Sequence, residues 1–111
     1  MVGLVMANPC RQWEGKLEQA VKANNAANQL KFKEKLVECI VYTARLMIRE
    51  DEDAYRDIVN YGMEVAKKYN IPEVEYHLKI IEAEAKLRQL RQRSQSLVKL
   101  RQLANSCSSN F

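Results

Sequence analysis

A chain of 111 residues with 47% apolar and 29% charged side chains has room for one domain, and this composition excludes both wholesale disorder and a membrane-embedded protein. Three glycines and two prolines leave few places where a helix must break, so the expected fold class is all-α. The net charge is +4. No apolar run approaches the ~18 residues of a membrane span, and MVGLVMANPC lacks the basic start of a secretory signal, so a cytoplasmic location with no membrane partner is expected.

In chain order, Asn8 and Pro9 offer an N-cap and a first-turn proline. Trp13, Leu17, Ala20, Val21, Asn24, Ala27 and Asn28 then share one side of a first helix with a thin apolar stripe. The tract KANNAANQ alternates a strong helix former with a weak one, which places the turn near Asn25 to Gln29.

The central stretch, Leu30 to Arg49, separates into two faces on a helix. Leu36, Val37, Cys39, Ile40, Thr43, Ala44, Met47 and Ile48 form a broad apolar sector. Lys31, Lys35, Glu38, Tyr42, Arg45 and Arg49 recur along the opposite side as a basic rail. At ~1.5 Å per residue the rail spans about 27 Å, the reach of a row of phosphates rather than of one small anion. A solvated helix face is the plainer reading of the same pattern; Tyr42 and the scarcity of acids narrow the gap. Cys10, Cys39 and Cys107 are odd in number and widely spaced, so neither a disulfide framework nor a metal site is expected, and Cys39 reads as a small core residue.

The acidic run EDED after Arg49 is able to cap a new helix, but Leu36, Ile40, Thr43, Met47, Ala54, Ile58, Tyr61, Val65 and Tyr69 keep nearly one azimuth. That favours one continuous or kinked helix from Leu30 to Tyr69. Asn70, Ile71 and Pro72 stop it, and Pro72 opens the last helix, with Glu73 and Glu75 matched to its dipole. Val74, Leu78, Ile81 and Ala85 line one side of that helix and Tyr76, Ile80, Ala83, Leu87 and Leu90 the other, so its first half reads as buried twice over. Tyr55, Tyr61, Tyr69 and Tyr76 read as amphipathic core-edge residues. Further on, Lys86, Arg88, Arg91, Arg93, Lys99 and Arg101 form a second basic patch with no acid among them, while Glu50 to Asp57 is acidic. Mutual attraction of the two blocks is the plain structural reading of both. Residues 1–105 are expected to form a single helical domain and 106–111 a flexible tail.

Catalysis has little support. The one histidine, His77, stands on a helix flank without a nucleophile, metal or nucleotide motif, so no catalytic residue, metal or cofactor is expected and the chain reads as a non-enzyme.

The chain resembles the small double-stranded-RNA-binding suppressors of RNA silencing made by nodaviruses. The likeness rests on size, on the KLEQ segment at Lys16 to Gln19, and on a long helix with LxxC at Leu36 to Cys39 followed by spaced basic residues, and it covers about residues 13–60. It implies an all-helical viral homodimer that binds duplex RNA independently of sequence, with host silencing proteins as further partners. Lys31, Lys35, Tyr42 and Arg49 would then face the duplex, with Arg45 beside them. Asp51 to Asp53 depart from the pattern, since on the same face they would repel phosphates.

Two non-enzymatic alternatives belong to another class: a tetratricopeptide-like interaction module, for which no second repeat is visible, and a coiled-coil scaffold with Ala83, Leu87, Leu90 and Leu97 as its seam. The expected architecture is about three helices with a long central one, with Leu36, Ile40, Met47, Ile58, Val65 and Ile80 buried. The broad apolar sector predicts a homodimeric four-helix-type bundle.

Overall fold

The computed structural model describes the backbone of residues 8–109 and the side chains of residues 8–105. The expectations placed on 1–7 and on the last residues of the tail lie outside that range; the backbone of 106–109 continues the final helix. Among the described residues there are four helices and no strand: α1 (Arg11–Lys22), α2 (Ala26–Glu50), α3 (Glu52–Tyr69) and α4 (Pro72–Ser109). The chain divides into two compact units, residues 1–79 and 80–111.

The boundaries follow from local chemistry. Asn8 is not the cap of α1, because Cys10 holds that position and the Asn8 side chain accepts the Cys10 N–H at 2.9 Å one turn earlier. α1 ends at a left-handed Asn24 (φ 54°). Asn25 N–H then donates to Ala20 O at 3.0 Å and Asn24 N–H to Val21 O at 3.1 Å, the paired bonds of a Schellman motif. The turn therefore falls at Ala23 to Asn25, slightly earlier than the alternating Ala/Asn tract predicts, and Asn25 caps α2 by accepting the Asn28 N–H at 3.0 Å.

The expected continuous helix from Leu30 to Tyr69 is broken at Asp51, whose backbone is extended (φ −153°, ψ 106°). Its carboxylate accepts the N–H groups of Asp53 at 3.0 Å and Ala54 at 3.2 Å, and Glu52 and Asp53 occupy the positive first turn of α3. The count of four helices rather than about three follows from this one cap. α3 closes on a left-handed Asn70 (φ 56°), Ile71 N–H donates to Ala66 O at 2.9 Å, and Pro72 begins α4, as the Asn-Ile-Pro signal predicts.

The core of the first unit is Leu17 and Ala20 from α1, Leu36, Ile40 and Ala44 from α2, Ile58, Tyr61 and Val65 from α3, and Ile71, Val74 and Leu78. Gly62 lets three helices meet, because a Cβ there would stand 3.1 Å from Ile40 Cγ2, 3.2 Å from Val74 Cγ1 and 3.3 Å from Leu78 Cδ1. Met47 and Ile80, expected in the core, are only half-buried. Tyr76 is 65% exposed, so the second apolar stripe of α4 is not covered. In the second unit Ile81 is the only buried residue among the described side chains.

One covalent link corrects the cysteine reading. Cys10, at the head of α1, is disulfide-bonded to Cys39 in the middle of α2, with their Cα atoms 5.6 Å apart. An odd cysteine count argues against a framework but says nothing against one staple. The helical hairpin brings together two residues that sequence spacing alone leaves unrelated.

Candidate nucleic-acid interface

Because α2 is unbroken from Ala26 to Glu50, the rail residues Lys31, Lys35, Tyr42, Arg45 and Arg49 ride on one rigid element, and all five are exposed. Lys35 Nζ lies 3.9 Å from Glu38 Oε2, so one acid of the rail is spent locally. Tyr42, 72% exposed, differs from its neighbours in also bordering a groove of about 560 Å³, whose walls include Pro9, Thr43, Leu46, Met47 and Ile58. Sequence periodicity gives no sign of this groove, since the segment before α1 forms part of its wall.

Three of the acids after Arg49 are engaged within α3 itself. Asp51 turns its carboxylate into the α3 cap, while Arg56 stands 3.7 Å from Glu52 and 3.5 Å from Asp53. Their own helix thus partners Glu52 and Asp53.

A second acid is held more firmly. Glu14 in α1, whose side chain is 16% exposed, accepts the Tyr61 hydroxyl at 2.7 Å and stands 3.7 Å from Arg11 and 3.8 Å from Lys68. Arg11 also sits 5.1 Å over the Tyr61 ring. Burial, then the hydrogen bond to Glu14 and its negative charge, push the Tyr61 hydroxyl well above the ordinary tyrosine range. A raised folded-state pKa means that this contribution to stability is complete below the unfolded value of about 10 and is lost as pH rises through the folded value. Tyr61→Phe is expected to cost about 2 kcal/mol at neutral pH and to flatten the decline of stability above about pH 10, read by urea unfolding across alkaline pH. Parallel alkaline limbs for the two proteins would remove Tyr61 as the titrating group.

Sequence reading also missed an aromatic and lysine cluster where α1 meets the start of α2. Trp13 and Phe32 stack with centroids 6.3 Å apart, and Lys16 reaches over both rings, at 4.9 Å and 5.9 Å. Lys31 lies 5.6 Å over Phe32. The only sign of this in the sequence is the spacing of Trp13 and Lys16, three apart on one helix face.

The second basic patch lies on the long α4. Lys86, Arg91, Arg93, Lys99 and Arg101 are exposed and Arg88 is half-buried. Successive residues of a helix turn by about 100°, which places Arg88 and Lys99 roughly opposite Lys86, and Arg93 and Arg101 nearer to it. Leu87, Leu90, Leu97, Val98, Leu100 and Leu103 are 49–65% exposed and spread over about 220° of the circumference. This stretch therefore has no narrow apolar stripe, and among the described residues no acid follows Glu84. Elsewhere in α4, His77 packs edge-on to Tyr76 at 5.7 Å, and among the described residues no group of His, Cys, Asp and Glu is placed to hold a metal. No described helix is long and apolar enough to cross a membrane.

The family model of archaeal ribosomal protein aL49 matches residues 9–94, taking in α1, α2, α3 and α4 as far as Ser94. No curated protein matches the chain. The family match overturns the resemblance to nodaviral silencing suppressors, and with it the viral duplex-RNA role, the host silencing partners and the homodimer. The features that carried that resemblance, KLEQ, LxxC and spaced basic residues, are short and recur in any long helix with an apolar and a charged face, whereas the family match spans most of the chain. It gives no support to the tetratricopeptide-like or coiled-coil readings either. A ribosomal protein family is structural and non-enzymatic, in line with the lack of any catalytic motif.

Proposed function

Because the chain belongs to the archaeal ribosomal protein aL49 family, we propose that it is a structural component of the ribosome that binds ribosomal RNA in the cytoplasm. The observation that carries this reading is the acid-free stretch from Lys86 to Arg101, whose six cations, five of them exposed, are distributed around the helix. Cations on one side of a helix suit a flat polyanionic surface. Cations on all sides, with leucines among them, suit a helix enclosed by RNA, with phosphates neutralised around it and aliphatic chains packed on sugars and bases. The rail formed by Lys31, Lys35, Tyr42, Arg45 and Arg49 supplies a second contact on the other unit, one-sided and linear, fitted to a run of backbone phosphates. Backbone contacts of this kind position a protein without reading sequence, so specificity would come from the shape of the RNA.

The test is co-sedimentation of the purified chain with archaeal ribosomal particles through density gradients at increasing KCl. Comigration at low salt, with release as salt rises, is the expected result. A chain that stays at the top of the gradient at every salt concentration would contradict the reading.

A further inference from the structure

We propose that Lys16 and Lys31, held over the Trp13 and Phe32 rings, form a built anchor for a ribosomal RNA backbone phosphate where α1 meets α2. The inference rests on the ribosomal reading above and identifies a site that neither basic block includes as a unit. Its starting point is that four of the chain's eight other lysines are paired with carboxylates. Lys22 pairs with Glu18 at 3.5 Å, Lys35 with Glu38 at 3.9 Å, Lys68 with Glu14 at 3.8 Å and Lys79 with Glu75 at 3.4 Å. Lys16 and Lys31 differ from these four: among the described residues neither ammonium group has a carboxylate within ion-pair distance, and both are placed over aromatic faces without the carboxylate that Lys68 keeps beside its own ring, Tyr69.

The two kinds of partner have opposite consequences. A carboxylate cancels the charge it holds, so binding a phosphate must first break the pair. A ring face attracts the ammonium through its quadrupole but leaves the positive charge uncancelled, and it restricts a flexible four-carbon stem. The side-chain ordering that phosphate binding would otherwise cost is thereby largely made in advance.

The geometry gathers the charge. Lys16 comes from α1 and Lys31 from α2, yet both lie within 6 Å of one ring, Phe32, at 5.9 Å and 5.6 Å. Two like charges held over the same ring stabilise neither helix by themselves, and an anion bound beside that ring relieves their repulsion. The rings are half-buried, with Trp13 and Phe32 stacked at an interplanar angle of 29°, so the platform is fixed by the packing of α1 on α2. Lys31 is also the first residue of the rail, so a phosphate held here would set the register of the strand along Lys35, Arg45 and Arg49. An RNA backbone fits this better than a free anion, because the remaining rail cations continue the site along about 27 Å of helix.

The experiment titrates deproteinised ribosomal RNA from an archaeon with the full-length chain across a KCl series, measuring affinity and its salt slope. Helix content and melting temperature are followed in parallel. Lys16→Gln/Lys31→Gln is expected to reduce the slope by between one and two units, since at most two cation contacts are removed, and to weaken binding about tenfold or more near 0.1 M salt. Phe32→Leu keeps every charge, so the slope should stay while affinity falls several-fold; Phe32→Tyr, which keeps the ring, should bind as wild type. If Phe32→Leu binds as wild type while the lysine variant is weakened, pre-positioning by the ring is wrong. If the lysine variant keeps wild-type slope and affinity while removal of Arg91, Arg93 and Arg101 weakens binding, this anchor is overturned and the ribosomal RNA reading stands. Absence of binding by the wild-type chain overturns both.

Discussion

Replacing Cys10 by serine is expected to lower the unfolding free energy by about 3.5 kcal/mol, a large share of the stability of a small domain. The bond to Cys39 closes a loop with a sequence separation of 29, and in the chain-entropy account a loop of that length removes about 3.5 kcal/mol of conformational freedom from the unfolded state. Little compensates for its loss. α1 has a short apolar stripe, with Leu17 and Ala20 its only buried residues, and beyond that it relies on the Trp13 and Phe32 contact to stay on α2 and on the Glu14 cluster to stay on α3. The serine hydroxyl would also sit at a position that is 0% exposed, which adds a desolvation cost. Urea unfolding of wild type with and without a thiol reductant, beside Cys10→Ser and Cys39→Ser, measures the effect. Reduced wild type should lose most of the stability that Cys10→Ser loses, the remainder being the cost of the buried hydroxyl, and reductant should leave the variants unchanged. Equal stability of oxidised and reduced wild type would show that the bond contributes nothing. An intracellular disulfide is unusual in most cells, although proteins of hyperthermophilic archaea are rich in them.

The second large effect concerns RNA binding. Arg91→Ala/Arg93→Ala/Arg101→Ala is expected to weaken binding to archaeal ribosomal RNA by about 100- to 500-fold near 0.1 M salt and to reduce the salt slope by two to three units. Each phosphate contact adds about 0.7 to 0.9 to the slope, so at that salt each contributes nearly one decade of affinity through counterion release. All three arginines are exposed, and alanine is the stronger helix former, so neither the helix nor the rest of the fold should suffer. The three side chains point to different sides of the axis, which makes single substitutions informative. Comparable losses from each would agree with RNA surrounding the helix. Losses confined to one azimuth would mean that RNA lies along one side only, and no loss from the triple variant would move the binding surface away from α4.

Much of this architecture is legible in the sequence because it depends on local chemistry. Asn70-Ile71-Pro72 ends one helix and starts the next in any context, since a left-handed asparagine and a proline without an N–H act within a few residues. Leu36, Ile40, Ile58 and Val65 announce themselves as core by spacing, and they are buried. The exposure of Lys31, Lys35, Tyr42, Arg45 and Arg49 follows from the same periodicity. The all-α class and the want of a catalytic motif needed only composition and pattern.

Tertiary structure decided what depended on distance or on a contest between close alternatives. At Asp51 the apolar azimuth favours continuing the helix and the side chain favours capping a new one. A free energy of about 1 kcal/mol for the cap is enough to settle such a contest, but periodicity does not contain it. Met47 and Ile80 carry the apolar signature of core residues, yet no helix covers them fully, because periodicity reports which face a residue occupies and not whether another element reaches it. The Cys10 and Cys39 bond, the Glu14 and Tyr61 contact and the convergence of Lys16 and Lys31 on Phe32 each join residues of different helices. Such pairings exist only once the hairpin has closed, since the spacing of residues along a helix specifies an azimuth while the choice of partner depends on how that helix is laid against the next.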